Sequence, residues 1–222
     1  MKRTFTVVVL ALFVTILSTE AFAKKVKISA SEQDADIFVD GQLAGAGTVE
    51  LKINKGTCVN IRIEKRGFMI EERTLCHRKN QPKPGKSEFV RLTVDEAYTA
   101  SSNSDIANVD ISIGPKQPEE EAWKLISRIV TTYFDVIETT DRETGYLRTA
   151  WLAQNFNGSI VRSRCIIKLG NTNPLEYKVK MVSEYSNVKG ATVKSDEAFR
   201  EWGRILRKFE GLIPELQSRV GS

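Results

Sequence analysis

The sequence predicts an α+β protein with an all-β domain followed by an antiparallel sheet that carries two helices. Short alternating strands separated by glycine turns fill the first part of the chain, up to about residue 97. Two apolar stripes at helical spacing follow after residue 118, and three longer alternating segments lie between them. A chain of 222 residues is long enough for one or two such domains.

The first domain is predicted from its alternation and its turns. Ile37 and Val39 alternate with Asp36, Phe38 and Asp40, and Asp40 followed by Gly41 is a strong signal for a two-residue hairpin. Alternation returns at 49–53 and again at 59–63. The pattern predicts a β-meander with one buried face.

This part of the chain also resembles a known family. Its landmarks occur in the family's order: Ile37 to Gly41, Gly45, Gly56, and Lys65 to Phe68. On these landmarks residues 28–95 resemble a PEGA-type domain. The resemblance implies an all-β sandwich or meander over residues 24–97, in a bacterial envelope module that serves display and contact rather than chemistry.

The amino terminus has the features of a secretory signal. Met1 to Arg3 is positively charged, Thr4 to Leu17 is apolar, and Ala21 to Ala23 gives a small-x-small cleavage site. The apolar run is shorter than the roughly eighteen residues that span a bilayer, so we expect a cleaved signal peptide over 1–23 rather than an uncleaved anchor. No cysteine near Lys24 forms a lipobox, and no later segment is apolar enough to cross a membrane. The predicted location is periplasmic or extracellular.

Charge excludes one class of partner. Loss of Lys2, Arg3 and Glu20 with the signal peptide lowers the formal net charge from +5 to +4. Basic and acidic residues are interspersed, with no run of five or six basic residues. This pattern argues against nucleic-acid binding.

The three cysteines predict one disulfide. Cys58 and Cys76 lie equally far on either side of Gly67, so a hairpin centred there places them opposite each other. Cys165 is then left over. It shares the parity of Val161 and Ile167, which predicts a small buried core residue rather than a reactive nucleophile.

The second domain is predicted over residues 109–222, after a polar linker at 98–108. The order is βαβββα, with both helices on one face of the sheet. Its predicted elements are a strand at 109–113, a helix from Pro118 with a stripe from Trp123 to Ile137, strands at 146–154, 160–169 and 175–185, and a closing helix from Ser195 that Pro214 kinks near Gly211.

A second resemblance covers about residues 118–220. It depends on Trp123 in the first helix, on residues 141–151 leading into an aromatic strand, and on Arg162 and Arg164 in the next strand. These features resemble the helix-grip domains of BamC-type outer-membrane assembly lipoproteins. The resemblance implies a helix-grip fold and a role in outer-membrane assembly.

One face of the predicted sheet collects positive charge. We call it the basic face, and its members are Tyr146, Arg148, Arg162, Arg164, Lys168, Lys178 and Lys180. Glu176 and Glu184 are the acidic residues of the same parity. The surface is either an ordinary solvated face or a docking surface for envelope proteins or an anionic envelope polymer.

Catalysis is not predicted. His77 is the only histidine, so a conventional zinc site lacks a second one, and Glu71 and Glu72 are adjacent on a strand and point to opposite faces. We therefore expect no enzyme activity, metal or cofactor, and an exported protein-binding or assembly adaptor. The alternative is a carbohydrate- or peptidoglycan-binding module that stacks sugar rings on exposed aromatics, with candidates Phe38, Tyr98, Phe156 and Tyr146.

Overall fold

The computed structural model describes residues 23–103 and 105–221, which form two compact units. The first unit extends to Lys65 and resumes from Ile70 to Leu92. The second unit comprises Arg66–Met69 and the chain from Thr93 onward. The predicted signal peptide lies outside the described residues, apart from Ala23. None of the helices in the described ranges combines the length and the apolarity needed to cross a membrane.

The first unit consists of strands in two sheets. The strands are β1 Lys24–Ala30, β2 Asp36–Val39, β3 Gln42–Ala46, β4 Thr48–Ile53, β5 Cys58–Glu64, β6 Glu71–Cys76 and β7 Ser87–Val90. One sheet has the order β4-β1-β7, with β1 and β7 parallel, and the other has the order β3-β2-β5-β6. The chain therefore departs from a simple meander, because β4 leaves the sheet of its neighbours to pair with β1.

Buried side chains come from both sheets of this unit. Val26 and Ile28 of β1 and Ile37, Ile61 and Ile63 of the other sheet are each at most 2% exposed. The predicted turn between β2 and β3 is present, with Asp40 at φ 48° and Gly41 at φ 84°. Two consecutive positive φ values are the signature of a type I′ hairpin, which explains the preference for Asp-Gly there.

The second unit contains the helices. Its elements are α1 Glu96–Thr99, β8 Ser101–Asn103, β9 Asp110–Ile113, α2 Glu119–Tyr133, β10 Ile137–Asp141, β11 Tyr146–Thr149, β12 Leu152–Phe156, β13 Ser159–Thr172, β14 Leu175–Ser186, β15 Arg200–Glu201, β16 Arg204–Leu206 and α3 Leu212–Arg219. The main sheet has the order β10-β11-β13-β14-β15, with β12 also on β13 and β9 also on β14. All its pairs are antiparallel, and β16 pairs separately with β8.

The core of the second unit lies between this sheet and the two longer helices. Trp123, Ile126 and Ile129 of α2 are buried in one cluster with residues of one sheet parity. Leu212 and Leu216 of α3 belong to the same cluster. Its sheet members include Leu147, Val161, Cys165, Ile167, Tyr177, Val179 and Met181. The α+β class predicted from the sequence is confirmed at this level.

The predicted closing helix from Ser195 is wrong over most of its length. A 3₁₀ turn at Asp196–Ala198 is followed by β15, β16, a second 3₁₀ turn at Arg207–Phe209 and then the short α3. Phe199, Ile205 and Phe209 are buried, so the apolar spacing was real. Gly203 interrupts the stripe, however, and the Trp202 amide donates to the Ser183 carbonyl at 2.9 Å instead of forming a helical bond. Strand pairing overrides the helical period here.

Three smaller expectations also differ. Residues 98–103 of the predicted linker belong to the end of α1 and to β8, which pairs with β16. The predicted strand 146–154 is divided into β11 and β12. Helix α2 ends at Tyr133, and Ile137 begins the unpredicted strand β10. The observed element order is therefore richer in strands than βαβββα.

Candidate functional site

The strand register places the basic face on the sheet side opposite the helices. Lys168 pairs with Lys178, Arg148 pairs with Ile166, and Ile166 pairs with Lys180. Residues directly opposite each other project from the same face. The neighbouring parity, which includes Cys165 and Ile167, packs into the core with α2. The sequence assignment of which residues share this face therefore agrees with the register.

Arg162 is on this face but is not exposed, which corrects the prediction for that residue. It is 3% exposed. Its guanidinium donates to Glu184 Oε2 at 2.6 and 2.7 Å, to Asp196 Oδ1 at 2.6 Å and to the Val193 carbonyl at 2.6 Å. A buried charge is tolerated when it is paired and hydrogen-bonded to this extent.

Two aromatic rings complete the environment of Arg162. Its guanidinium carbon lies 4.2 Å from the centre of the Trp151 ring and 4.0 Å from the centre of the Phe199 ring. These are cation–π distances, which suit the flat and weakly hydrated guanidinium. Arg162 thus holds the segment 193–199 to the sheet and is not available as a docking residue.

The remaining cations of the basic face divide into paired and unpaired groups. Arg148 Nε lies 2.9 Å from Glu138 Oε2, and Lys180 Nζ lies 3.4 Å from Asp110 Oδ1. Arg164, Lys168 and Lys178 make no salt bridge to any residue in the described ranges. We call these three the unpaired cations.

Lys168 and Lys178 illustrate why the unpaired cations are notable. Both are exposed and they stand directly opposite each other on β13 and β14. Like charges at paired positions destabilise a sheet by a few tenths of a kcal/mol. The Lys168–Lys178 pair therefore lowers the stability of the sheet and concentrates positive charge on the basic face. Tyr146 is half-buried on the adjacent strand β11.

Arg164 lies in an open cleft of about 420 Å³. The cleft is lined by Glu138, Arg148, Trp151, Arg164, Val193, Lys194 and Asp196. The guanidinium carbon of Arg164 is 4.1 Å from the centre of the Trp151 ring, so Trp151 contacts both Arg162 and Arg164. The Arg164 Nε atom is buried and has no hydrogen-bond partner among the described residues.

Burial and neighbouring charge act together on Arg164. Desolvation lowers the pKa of its guanidinium, and the positive charge of Arg148 lowers that pKa further, while Glu184 and Glu138 partly oppose them. An arginine stays protonated despite such a shift. The lowered pKa means that the surroundings disfavour the charged form of Arg164, so an anion bound beside it would stabilise that charge.

Sequence reasoning missed Trp151, Glu138 and Lys194 as parts of this cleft. Trp151 was assigned only to a strand, yet it lies where β11 ends and β12 begins. Glu138 lies on the unpredicted β10, and Lys194 lies just before the segment that was predicted as helix. The β-branched residues Ile137, Thr139 and Thr140 were the available signal for β10.

The cysteines have the predicted states. Cys58 and Cys76 form a disulfide at paired positions on β5 and β6. Cys165 is a free thiol, fully buried, and burial raises its pKa to about 12.

The His77 side chain contacts the backbone, with its Nδ1 atom 3.3 Å from the Ile53 carbonyl oxygen. Within residues 23–103 and 105–221, no group of three His, Cys, Asp or Glu side chains is arranged to hold a metal ion.

The aromatic candidates for sugar stacking are engaged within the protein. The Arg62 guanidinium lies 4.2 Å from the centre of the Phe38 ring. The Arg204 guanidinium lies 3.7 Å from the centre of the Tyr98 ring, and Phe156 packs against the core. Tyr146 is half-buried beside the unpaired cations. These contacts favour structural roles for the first three rings.

Comparison with protein-family models finds none that matches the chain, and comparison with curated proteins finds no significant match.

Proposed function

We propose that this chain is an exported, non-catalytic envelope protein that acts as a protein-binding or assembly adaptor through its basic face. The observation that carries the proposal is the presence of three unpaired cations, Arg164, Lys168 and Lys178, on one face of one sheet. Uncompensated charge of one sign accelerates association with oppositely charged partners and selects among them. An anionic envelope polymer is the competing ligand for the same face.

Two features support the proposal of export. The Cys58–Cys76 disulfide suits an oxidising compartment such as the periplasm or the extracellular space. The charged, apolar and small-residue segments of residues 1–23 follow the order of a cleavable signal peptide. Cleavage before Lys24 would release the chain from the membrane.

We also propose the two family memberships. A PEGA-type identity for the first unit is supported by its strand-rich content and by the Asp40-Gly41 hairpin. A helix-grip identity of the BamC type for the second unit is supported by an antiparallel sheet whose core face carries α2 and α3. A role in outer-membrane assembly rests on that second identity.

The proposal is tested by site-specific photo-crosslinking in intact cells. A photoreactive phenylalanine analogue replaces Tyr146, which is on the basic face, in one version of the full chain and Arg128 in another. Arg128 is exposed on α2, on the helix side of the sheet. We expect protein crosslinks from position 146 and not from position 128, and we expect Lys178→Glu to abolish them.

Two results would count against the adaptor. Equal crosslinking from both positions would mean that the basic face has no special role. Cosedimentation of the purified mature protein with peptidoglycan, unaffected by Lys178→Glu and accompanied by no protein crosslink, would support the carbohydrate-binding alternative instead.

A further inference from the structure

We propose that the cleft around Arg164 is a carboxylate-binding subsite that receives an aspartate or glutamate side chain from an extended segment of a partner protein. The proposal deepens the adaptor function and rests on it. It names the group that the basic face recognises and the residue that recognises it.

The hydrogen bonding of Arg164 is incomplete. A guanidinium has five N–H donors, and Arg162 uses its own on two carboxylates and a carbonyl. Arg164 makes no such bond within the described ranges, although its Nε atom is buried. Leaving a buried donor unsatisfied is costly, and a carboxylate satisfies two guanidinium donors at once.

Trp151 positions the guanidinium of Arg164. The Trp151 ring lies within 4.2 Å of the Arg162 guanidinium carbon and within 4.1 Å of that of Arg164. Arg162 is itself fixed by Glu184 and Asp196. Since one neighbour of Trp151 is already fixed, the site is organised before any ligand arrives, which reduces the entropy lost on binding.

The charges around the cleft select the kind of anion that it binds. Arg148 is paired with Glu138, and Asp196 is paired with Arg162, so Arg164 and the exposed Lys194 carry the charge that the cleft leaves uncompensated. The two carboxylates at its rim repel an incoming anion of high charge density. A singly charged carboxylate is therefore favoured over a phosphate dianion.

The distance between Arg164 and Lys168 sets the spacing of acidic residues in the partner. Lys168 is four residues from Arg164 on β13, which is about 13 Å along a strand. An extended segment lying along β13 has the same rise per residue, and its alternate side chains point the same way. Carboxylates at positions i and i+4 of that segment therefore reach Arg164 and the Lys168–Lys178 pair together.

The test measures binding of synthetic peptides to the purified mature protein by fluorescence anisotropy. The probe is a blocked, labelled peptide with glutamates four residues apart in a threonine- and valine-rich sequence. A matched peptide carries glutamine at both positions. We expect the glutamate peptide to bind at least tenfold more tightly than the glutamine peptide.

Variants separate the subsite from the wider face. Arg164→Ala and Arg164→Lys are each expected to weaken binding at least tenfold, because lysine keeps the charge but loses the planar fork. Arg128→Ala removes the same side chain from the helix side and should change binding less than twofold. Circular dichroism of each variant confirms that it is folded before binding is measured.

The outcomes distinguish the two proposals. If Lys168→Glu with Lys178→Glu abolishes binding while both Arg164 variants bind normally, the adaptor function stands and the carboxylate subsite is overturned. If no variant on this face affects peptide binding, both fail. Tight binding of polyphosphate that depends on Arg164, with no binding of the glutamate peptide, would also overturn the carboxylate assignment.

Discussion

Arg162 shows that the parity of a strand residue does not by itself determine whether its side chain is exposed. Its position in β13 assigns it to the face away from the helices, and the pairing with Glu184 agrees. Its burial comes from the segment 193–199, which folds over it and supplies Asp196 and Phe199. Because the sequence pattern predicts a helix from Ser195, it cannot predict that this segment buries Arg162.

Replacing Arg162 with alanine should destabilise the protein by about 2–3 kcal/mol. Removing one partner of a buried ion pair costs about 3–5 kcal/mol when the other partner stays buried, but the Asp196 side chain is 81% exposed and returns to water. Urea denaturation at neutral pH measures the free energy of unfolding. Arg128→Ala is the control and should change that energy by less than about 0.5 kcal/mol. A cost for Arg162→Ala as small as the control's would contradict the anchoring role.

Cys165 should make the protein sensitive to alkaline pH. Its thiol pKa is raised from 9.0 to about 12 by burial, so between these values the unfolded chain loses a proton that the folded chain keeps. The stabilisation is fully present below pH 9 and is lost as pH rises toward 12. Relative to Cys165→Ala, the wild-type free energy of unfolding should fall by about 1.4 kcal/mol per pH unit above 9.

The measurement is urea denaturation of both proteins at several pH values between 8 and about 10.5, with the difference between them taken at each pH. The subtraction removes the titration of tyrosines, which the two proteins share. A difference that does not change with pH would mean that the thiol ionises equally in both states.

At the scale of elements, the hairpin of β5 and β6 was predictable because its symmetry is local. Cys58 and Cys76 follow from counting outward from Gly67, and the register pairs them. Replacing both with serine should cost about 3 kcal/mol, since the bridge closes a loop of 18 residues. Denaturation of the variant should not respond to a reducing agent, whereas the wild type should become less stable in it. Equal stability with and without reductant in the wild type would contradict the prediction.

The elements that the sequence did not predict depend on distant partners. Strand β15 is two residues long and exists because β14 pairs with it. The residues of β8 are predicted as a linker because they are small and polar and show no periodicity, yet this strand pairs with β16 about a hundred residues later. The cleft around Arg164 combines β10, β13 and the segment after β14, so its composition depends on the same long-range pairing.

Asn108 is the clearest of these long-range contributions. It has φ 61°, and its side chain donates to the Ser183 carbonyl at 3.1 Å and to the Trp202 carbonyl at 2.9 Å while accepting from the Ser183 amide at 2.9 Å. It therefore ties the entry to β9 to strand β14 and to the residue after β15. Nothing in its neighbours' sequence indicates this role.

Two substitutions separate the parts of this role. Asn108→Gly keeps the positive φ but removes three hydrogen bonds, and should destabilise by about 2 kcal/mol. Asn108→Ala should cost about 1 kcal/mol more, because alanine is also strained at that φ. Urea denaturation measures both, and an alanine variant more stable than the glycine variant would contradict the backbone argument.

At the scale of the whole molecule, the net charge is small but the charged side chains are unevenly distributed over the surface. The formal net charge of +5 reveals little by itself, since 33 basic and 28 acidic residues are interspersed along the sequence. The sheet register concentrates three unpaired cations on one face, while most acidic neighbours there are already paired with Arg148, Arg162 or Lys180. Parity predicted which residues share the face, but which of them are neutralised depends on the fold.

This distribution predicts how binding of the glutamate peptide responds to salt. The screening length falls from about 10 Å at 0.1 M salt to about 3 Å at 1 M, which removes attraction at the distances where encounter is steered. Between these concentrations the association rate constant should fall about tenfold or more. The dissociation rate constant should change less than about threefold, because the contact at Arg164 is partly shielded from solvent. Surface plasmon resonance with immobilised peptide measures both constants. In a protein carrying Lys168→Glu and Lys178→Glu, the salt dependence of association should nearly vanish, and an unchanged dependence would locate the steering charge elsewhere on the chain.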